Sequence, residues 1–332
     1  MKQFDVSIII PFYNVENYIV RCAHSLFQQS LERIQFIFVN DSSTDNSLLK
    51  LNDVIAQYPF RKEDILIVNH AKNRGSAAAR NTGLDHVSGE YTGWVDADDW
   101  IERDMYEQML AKTKEEGVDM VWCDFYLEYE DSSVKVTNKV PNKSSVYIGE
   151  MIKANVQGML WNKLFRSEVF TKYEIRFIEG LCLGEDRLVV LKYLHYATRI
   201  SYLDSFLYHY VQYNEISIVK DSSDKRFYEE IGNAQLIDEF IKSVGINYIS
   251  EEDMNDFKIR SKRRLLLSTS IVDLKNWRIM LPEVNRKVFK TKELRFRHKV
   301  IAYMSEFNSL FFLQFWLFLK GRFGETTVRV KK

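Results

Sequence analysis

Proline and cysteine are scarce in this chain, four and three among 332 residues, and each scarcity excludes a class. With 46% hydrophobic and 14% aromatic residues beside so little proline, the sequence is neither collagen-like, nor low-complexity, nor disordered. Cys22, Cys123 and Cys182 stand far apart without a C-x-x-C spacing, which leaves no disulfide framework and no thiolate zinc site. Reduced thiols in a cytoplasmic protein are the expectation. No window approaches the ~18 apolar residues of a spanning helix. The start, with Asp5 and Pro11 bracketing its apolar run, lacks the layout of a secretory signal. Two nucleotide signatures are also missing: no G-x-G-x-x-G follows the first apolar run, and no G-x-x-x-x-G-K-[ST] occurs.

Net charge is absent only in sum. Residues 256–332 carry 19 Lys and Arg against 6 Asp and Glu, a net of +13, and the 255 residues before them carry −13. A basic tail suits an anionic membrane surface or nucleic acid, whereas the acidic part repels both.

What is present in residues 1–125 is alternation. Short β-branched runs at Val6 to Ile10, Phe36 to Val39, Ile65 to Val68, Tyr91 to Val95 and Met120 to Tyr126 alternate with amphipathic helical stretches. Strand and helix in series give a mostly parallel α/β sheet. Residues 126–220 read as an α+β extension of that sheet. Short strands are expected at Val134 to Val136 and Val146 to Ile148, and helices at Glu150 to Val156, Ser167 to Lys172 and Arg187 to Ala197. Residues 221–332 read as a basic helical region, with Arg260 to Leu274 amphipathic.

Open parallel sheets bind ligands at the carboxyl ends of their strands. That rule selects Pro11-Phe12-Tyr13-Asn14, Asn40 to Asp45, Asn69 to Gly75 and Asp96-Ala97-Asp98-Asp99. The last is the sharpest, because three carboxylates in four residues repel one another unless a cation sits among them. Hard oxygen ligands suit Mg2+ or Mn2+ shared with a diphosphate; the competing reading is a solvated turn capping the next helix. The candidate cofactor-binding residues are Pro11, Tyr13, Asn14, Asp41, Asn73, Gly75, Arg80, Asp96 and Ala97. For Arg80 an internal salt bridge competes with a diphosphate.

S-I-I-I-P-F-Y-N at 7–14, V-N-D-S-S-T-D at 39–45, N-R-G-S-A-A-A-R-N-T-G at 73–83 and W-V-D-A-D-D at 94–99 resemble the successive motifs of family 2 glycosyltransferases with the GT-A fold. W-N-K-L-F-R at 161–166 and L-G-E-D-R at 183–187 extend the resemblance over about residues 5–215. It implies that Asp41 meets the nucleotide base, Asp96 the ribose and Asp98 the metal, with Asp186 as general base beside Glu185. Many members carry glycine where Ser42 stands, which puts the turn after Asp41 in question. The implied reaction is inverting transfer from a nucleoside diphosphate sugar, uridine being the family's commonest base, to a glycan or lipid-linked glycan hydroxyl.

Other candidates come with bland alternatives. Glu185 and Asp186 also suit the first turn of a helix. His209 is a candidate for the metal or a phosphate, against a structural histidine. Trp161, Asn162 and Lys163 are candidates for bordering the acceptor, with Trp161 more at home in a core. Leu310 to Leu319 is too short to span and too apolar all round for a surface helix, so with the basic stretch before it (256–322 in all) it suits an anionic membrane surface; a core helix or a dimer contact competes. The expected location is cytoplasmic, at the inner face of a bacterial cell membrane. A nucleotidyltransferase, a non-catalytic nucleotide-sugar binder and a second copy of the chain as partner stay open, with nucleic acid the weakest partner.

Overall fold

A computed structural model describes residues 3–181, 184–214, 224–267 and 271–306. The chain divides into two compact units, Met1–Glu229 and Glu230–Lys332.

The first unit is built on one nine-stranded sheet among the described residues. Its strands are β1 (Val6–Phe12), β2 (Ile34–Asn40), β3 (Ile65–Asn69), β4 (Tyr91–Trp94), β5 (Trp100–Ile101), β6 (Met120–Glu128), β7 (Ser133–Val136), β8 (Lys163–Arg166) and β9 (Ile200–Val211). The order is β3-β2-β1-β4-β8-β6-β9-β5, with β7 on β6. β3, β2, β1 and β4 run parallel. β8 lies antiparallel between β4 and β6, and β6 pairs parallel with β9. The fold is thus mixed α/β, mostly parallel, as the alternation predicts. β1 and β2 are buried along nearly their whole length. That is why their sequences read as continuous apolar runs rather than alternating ones.

The helices are α1 (Ile19–Phe27), α2 (Ser47–Ala56), α3 (Ser76–Leu84), α4 (Met105–Glu116), α5 (Ser144–Ile152), α6 (Ser167–Lys172) and α7 (Glu185–Tyr196). Two of them show why close approach needs glycine. A Cβ on Gly83 of α3 would come within 2.3 Å of Ile9, and one on Gly93 of β4 within 2.7 Å of Tyr106 on α4. The Ile9 side chain and the Tyr106 ring therefore fill the space that a side chain at either position would need.

One strand expectation is wrong. Val146 to Ile148 lies inside α5, and the helix expected over Glu150 to Val156 is the second half of that element, ending at Ile152. The buried residues Tyr147, Ile148, Met151 and Ile152 repeat at helical spacing. Packing on that stripe outweighs the β preference of a three-residue V-Y-I run. In the opposite sense, Lys163–Arg166 of the W-N-K-L-F-R segment forms β8, and the twelve-residue β9 stands where no strand was expected.

The second unit is helical: α8 (Asp224–Ser243) enters it, followed by α9 (Glu251–Lys262), α10 (Arg264–Leu267), α11 (Ile271–Ile279) and α12 (Phe296–Glu306). The expected basic helix from Arg260 to Leu274 is divided among α9, α10 and α11. Lys262 is fully buried, and its ammonium donates to the carbonyls of Trp277, Met280 and Leu281 at 2.7–3.1 Å, tying the end of α11 to α9. The Leu310 to Leu319 run and Cys182 lie outside the described residues. Among the described residues, no helix is long and apolar enough to cross a membrane.

Candidate active site

The carboxyl ends of β1, β2, β3 and β4 carry the four selected segments, and contacts among them tie the loops together. After β2, Asp41 is 3% exposed, and its oxygens accept from the backbone N–H of Arg74 at 2.9 Å and of Gly75 at 2.7 Å. His70 Nδ1 lies 2.7 Å from the same carboxylate, with His70 Nε2 2.9 Å from the Thr82 hydroxyl. Asp41 thus fixes the loop that opens α3, a role that no spacing announced for His70. Gly75 holds that loop with φ 89°, a left-handed value at which side chains are rare. Ser42 adopts φ 65°. The turn after Asp41 therefore keeps a glycine-like conformation although a serine stands there. Asn14, with φ 50°, spans the two loops: its side-chain oxygen accepts from Thr44 N at 2.8 Å. Pro11 is half-buried in β1, one residue before its end, Tyr13 is 44% exposed, Asn73 is exposed and Ala97 is buried.

The Asp96 to Asp99 loop divides its three carboxylates between two tasks. Asp99 is fully buried; Tyr208 donates to one oxygen at 2.7 Å and Val211 N to the other at 2.8 Å, which pins β9 to the loop. Burial, then the neighbouring Asp98 and Asp96, push its carboxyl well above the ordinary range. Asp98 instead accepts from the Asn214 amide at 2.8 Å, and Arg21 donates to its backbone carbonyl at 3.3 Å. Its carboxyl is raised by burial and by Asp96. Arg21 is held over the Trp100 ring at 3.7 Å. Arg21 and Asn214 join the site through topology, and nothing in the motifs marks them.

Arg80 is the hub. It is 7% exposed, and its Nη1 donates to Glu185 at 2.6 Å and lies 3.2 Å from Asp186 Oδ1, while Nη2 lies 3.3 Å from Asp96 Oδ1. Burial lowers the guanidinium's proton affinity, but Asp186, Glu185 and Asp96 together raise it further. One cation faces three acids here. Glu185 also accepts from the Ser76 hydroxyl at 3.0 Å, so it behaves as a structural counter-ion. Asp186 has no hydrogen-bond donor on its buried Oδ1. Burial pushes its carboxyl up to about 7, with Glu185 and Asp96 adding and Arg80 and Lys163 opposing. Both acids sit in the first turn of α7, so their helix-dipole reading holds as well.

The remaining candidates are placed elsewhere. His209 is not available as a metal ligand: its nitrogens lie 2.7 Å from Glu128 and 3.0 Å from Glu102, and its ring stacks between Trp100 and Tyr126. Trp161 stacks on Tyr208 at 4.2 Å within the core. Asn162 and Lys163, candidates for bordering the acceptor, are fully buried. Asn162 donates to Cys123 O at 2.7 Å, and Lys163 to Met159 O and the Asn162 side chain at 2.5 and 2.7 Å. Burial brings the Lys163 ammonium down to about 7. These hydrogen bonds let polar groups occupy the interior. A cleft of about 540 Å³ between the end of α3 and α6, lined by Thr92, Ser167 and Thr171, contains none of the candidate residues.

Comparison with known proteins bears on this arrangement. The profile described as glycosyl transferase family 2 matches residues 7–173. EpsH of Bacillus subtilis (strain 168), named as a glycosyltransferase, is 30% identical over 281 residues, 82% of this chain and 77% of its own. The glycosyltransferase GlyA of Streptococcus pneumoniae serotype 4 is 32% identical over 62% of this chain and 30% of its own. In structure, S. aureus TarS in complex with UDP-GlcNAc matches with a TM-score of 0.69 at 18% identity, over 96% of this chain and 92% of that one, which shows a shared fold. The chain belongs to glycosyl transferase family 2 and is a glycosyltransferase with the GT-A fold.

Proposed function

We propose that this member of glycosyl transferase family 2 moves a sugar from a nucleoside diphosphate sugar to a hydroxyl of a glycan or lipid-linked glycan, inverting the anomeric carbon, with Asp186 as general base. The observation that carries the reading is the meeting of Asp186 and Asp96 on one buried guanidinium. It joins the acid assigned to the acceptor hydroxyl with the acid assigned to the donor ribose. A carboxyl held near 7 is matched to proton removal at neutral pH, where general base catalysis supplies about 10²–10⁴-fold. Arg80 stands 3.2 Å from Asp186 Oδ1 as a counter-charge, and that oxygen accepts no hydrogen bond. Uridine is the base to test first, since TarS, whose fold the chain shares, is described with UDP-GlcNAc and with UDP.

A divalent ion fits the residues present. Among the described residues no three His, Cys, Asp or Glu side chains form a metal cage. Asp98 offers a carboxylate raised by burial and by the neighbouring Asp96. One or two carboxylates plus substrate phosphates is how Mg2+ or Mn2+ is usually held. Bound there, the ion would neutralise charge on the leaving diphosphate. Residues 1–125 then serve the donor, 126–220 the acceptor, and 221–332 a peripheral position at the inner face of the cell membrane.

The test is Asp186→Asn. Turnover should fall about 10²–10⁴-fold while UDP still raises thermal stability, and NMR of the parent's product should show the inverted anomer. Retained configuration, or turnover within a few-fold of the parent, would refute the reading.

A further inference from the structure

In the second unit, large apolar side chains face outward. α12 turns Ile301, Ala302 and Ser305 inward, all buried. At ~100° per residue, Phe296, Lys299 and Tyr303 fall on the opposite side. Phe296 is 74% exposed and Tyr303 43%. Phe289, also exposed, joins them: its ring meets Tyr303 at 5.4 Å, and Lys299 donates to its carbonyl at 3.1 Å. Lys290, Lys292, Arg295 and Arg297 are exposed around the rings. The acids of this stretch point elsewhere, Glu293 to Arg260 at 2.8 Å and Glu306 to the Asn285 amide at 2.6 Å. α11 repeats the arrangement, with exposed Val272, Lys275 and Ile279 at i, i+3 and i+7 opposite buried Leu274 and Trp277.

We propose that the aromatic and cationic face of residues 289–303 docks on an anionic lipid bilayer, the rings entering the headgroup boundary and the cations meeting lipid phosphates. It deepens the membrane position proposed above and rests on described residues upstream of the Leu310 to Leu319 run. Charge complementarity selects this occupant. A two-fold contact between copies would set the same cations against themselves. Duplex nucleic acid would engage the cations but leave three exposed rings in water.

The test floats the full chain with vesicles of phosphatidylcholine alone and of phosphatidylcholine mixed with phosphatidylglycerol. Binding should require the anionic lipid and weaken as salt screens the cations. Phe296→Ser with Tyr303→Ser, and separately Lys292→Glu with Arg295→Glu, should each lower it about tenfold or more, at unchanged melting temperature. Equal binding to neutral vesicles, or both double variants floating like the parent, would overturn the proposal. So would a concentration-dependent dimer that the variants abolish, or capture by duplex DNA instead of vesicles. Donor turnover on a soluble acceptor should be unchanged in both variants. Absent turnover with intact flotation would count against the transferase mechanism and leave this surface standing.

Discussion

The two units differ in the acids that one buries and in the cationic surroundings of the apolar residues that the other exposes. In the first, acids point inward: Asp41, Asp99 and Glu185 are buried, and each is met by donors from the chain itself. In the second, Phe296, Ile279 and Val272 are among the most exposed large apolar residues described, and lysines and arginines surround them. Burying charge is costly and persists only with partners in place. Exposing rings among cations is costly in water and favourable at a lipid headgroup. The difference underlies the two proposals, which put the chemistry in one unit and an attachment surface on the other.

Breaking the acid cluster gives the largest effect. Arg80→Met leaves Glu185, Asp186 and Asp96 without their shared cation, and losing one partner of a buried ion pair costs about 3–5 kcal/mol. The melting temperature should drop sharply, measured by calorimetry. Removing the proposed metal carboxylate comes next. In the parent, UDP with Mn2+ at 100 times its Kd should add about 2.7 kcal/mol, and Asp98→Ala should lose that shift without losing the fold.

Asp186 allows a subtler test, because its folded carboxyl stands near 7 and its unfolded one near the usual ~4. Between those values the folded chain holds a proton that the unfolded chain releases, so stability falls as pH rises through the window. Asp186→Asn should therefore melt higher than the parent at pH 8 and nearly with it at pH 4. An equal offset at both would show that the carboxyl titrates normally. The smallest effect is at Ser42. A non-glycine residue in the left-handed region costs about 1–2 kcal/mol, partly offset by glycine's chain entropy, so Ser42→Gly should raise stability by roughly 0.5–1 kcal/mol.

Much of this was legible in the sequence because the first half is locally determined. Buried parallel strands read as apolar runs, and the polar segments after them fall at the strand ends by topology alone. Asp96 and Asp186 are named by motif, yet their meeting on Arg80 is visible only once α3, α7 and the loop after β4 converge. The misses share a cause. α5 and β9 owe their form to long-range packing, His70 lies in a selected segment but its tie to Asp41 shows only in the fold, Asn214 reaches the site from a loop outside the motifs, and His209 is diverted by Glu102 and Glu128, which lie 107 and 81 residues away. Lys163 reads as a residue bordering the acceptor until its burial and its carbonyl acceptors are seen.

The most direct test of the account is the pH dependence of kcat/KM for sugar transfer, on whichever nucleotide sugar the enzyme turns over. The account predicts a plateau above about pH 7 and a tenfold loss per unit below it, with both the plateau and the inflection removed by Asp186→Asn. An inflection near 7 that persists unchanged in Asp186→Asn would contradict it.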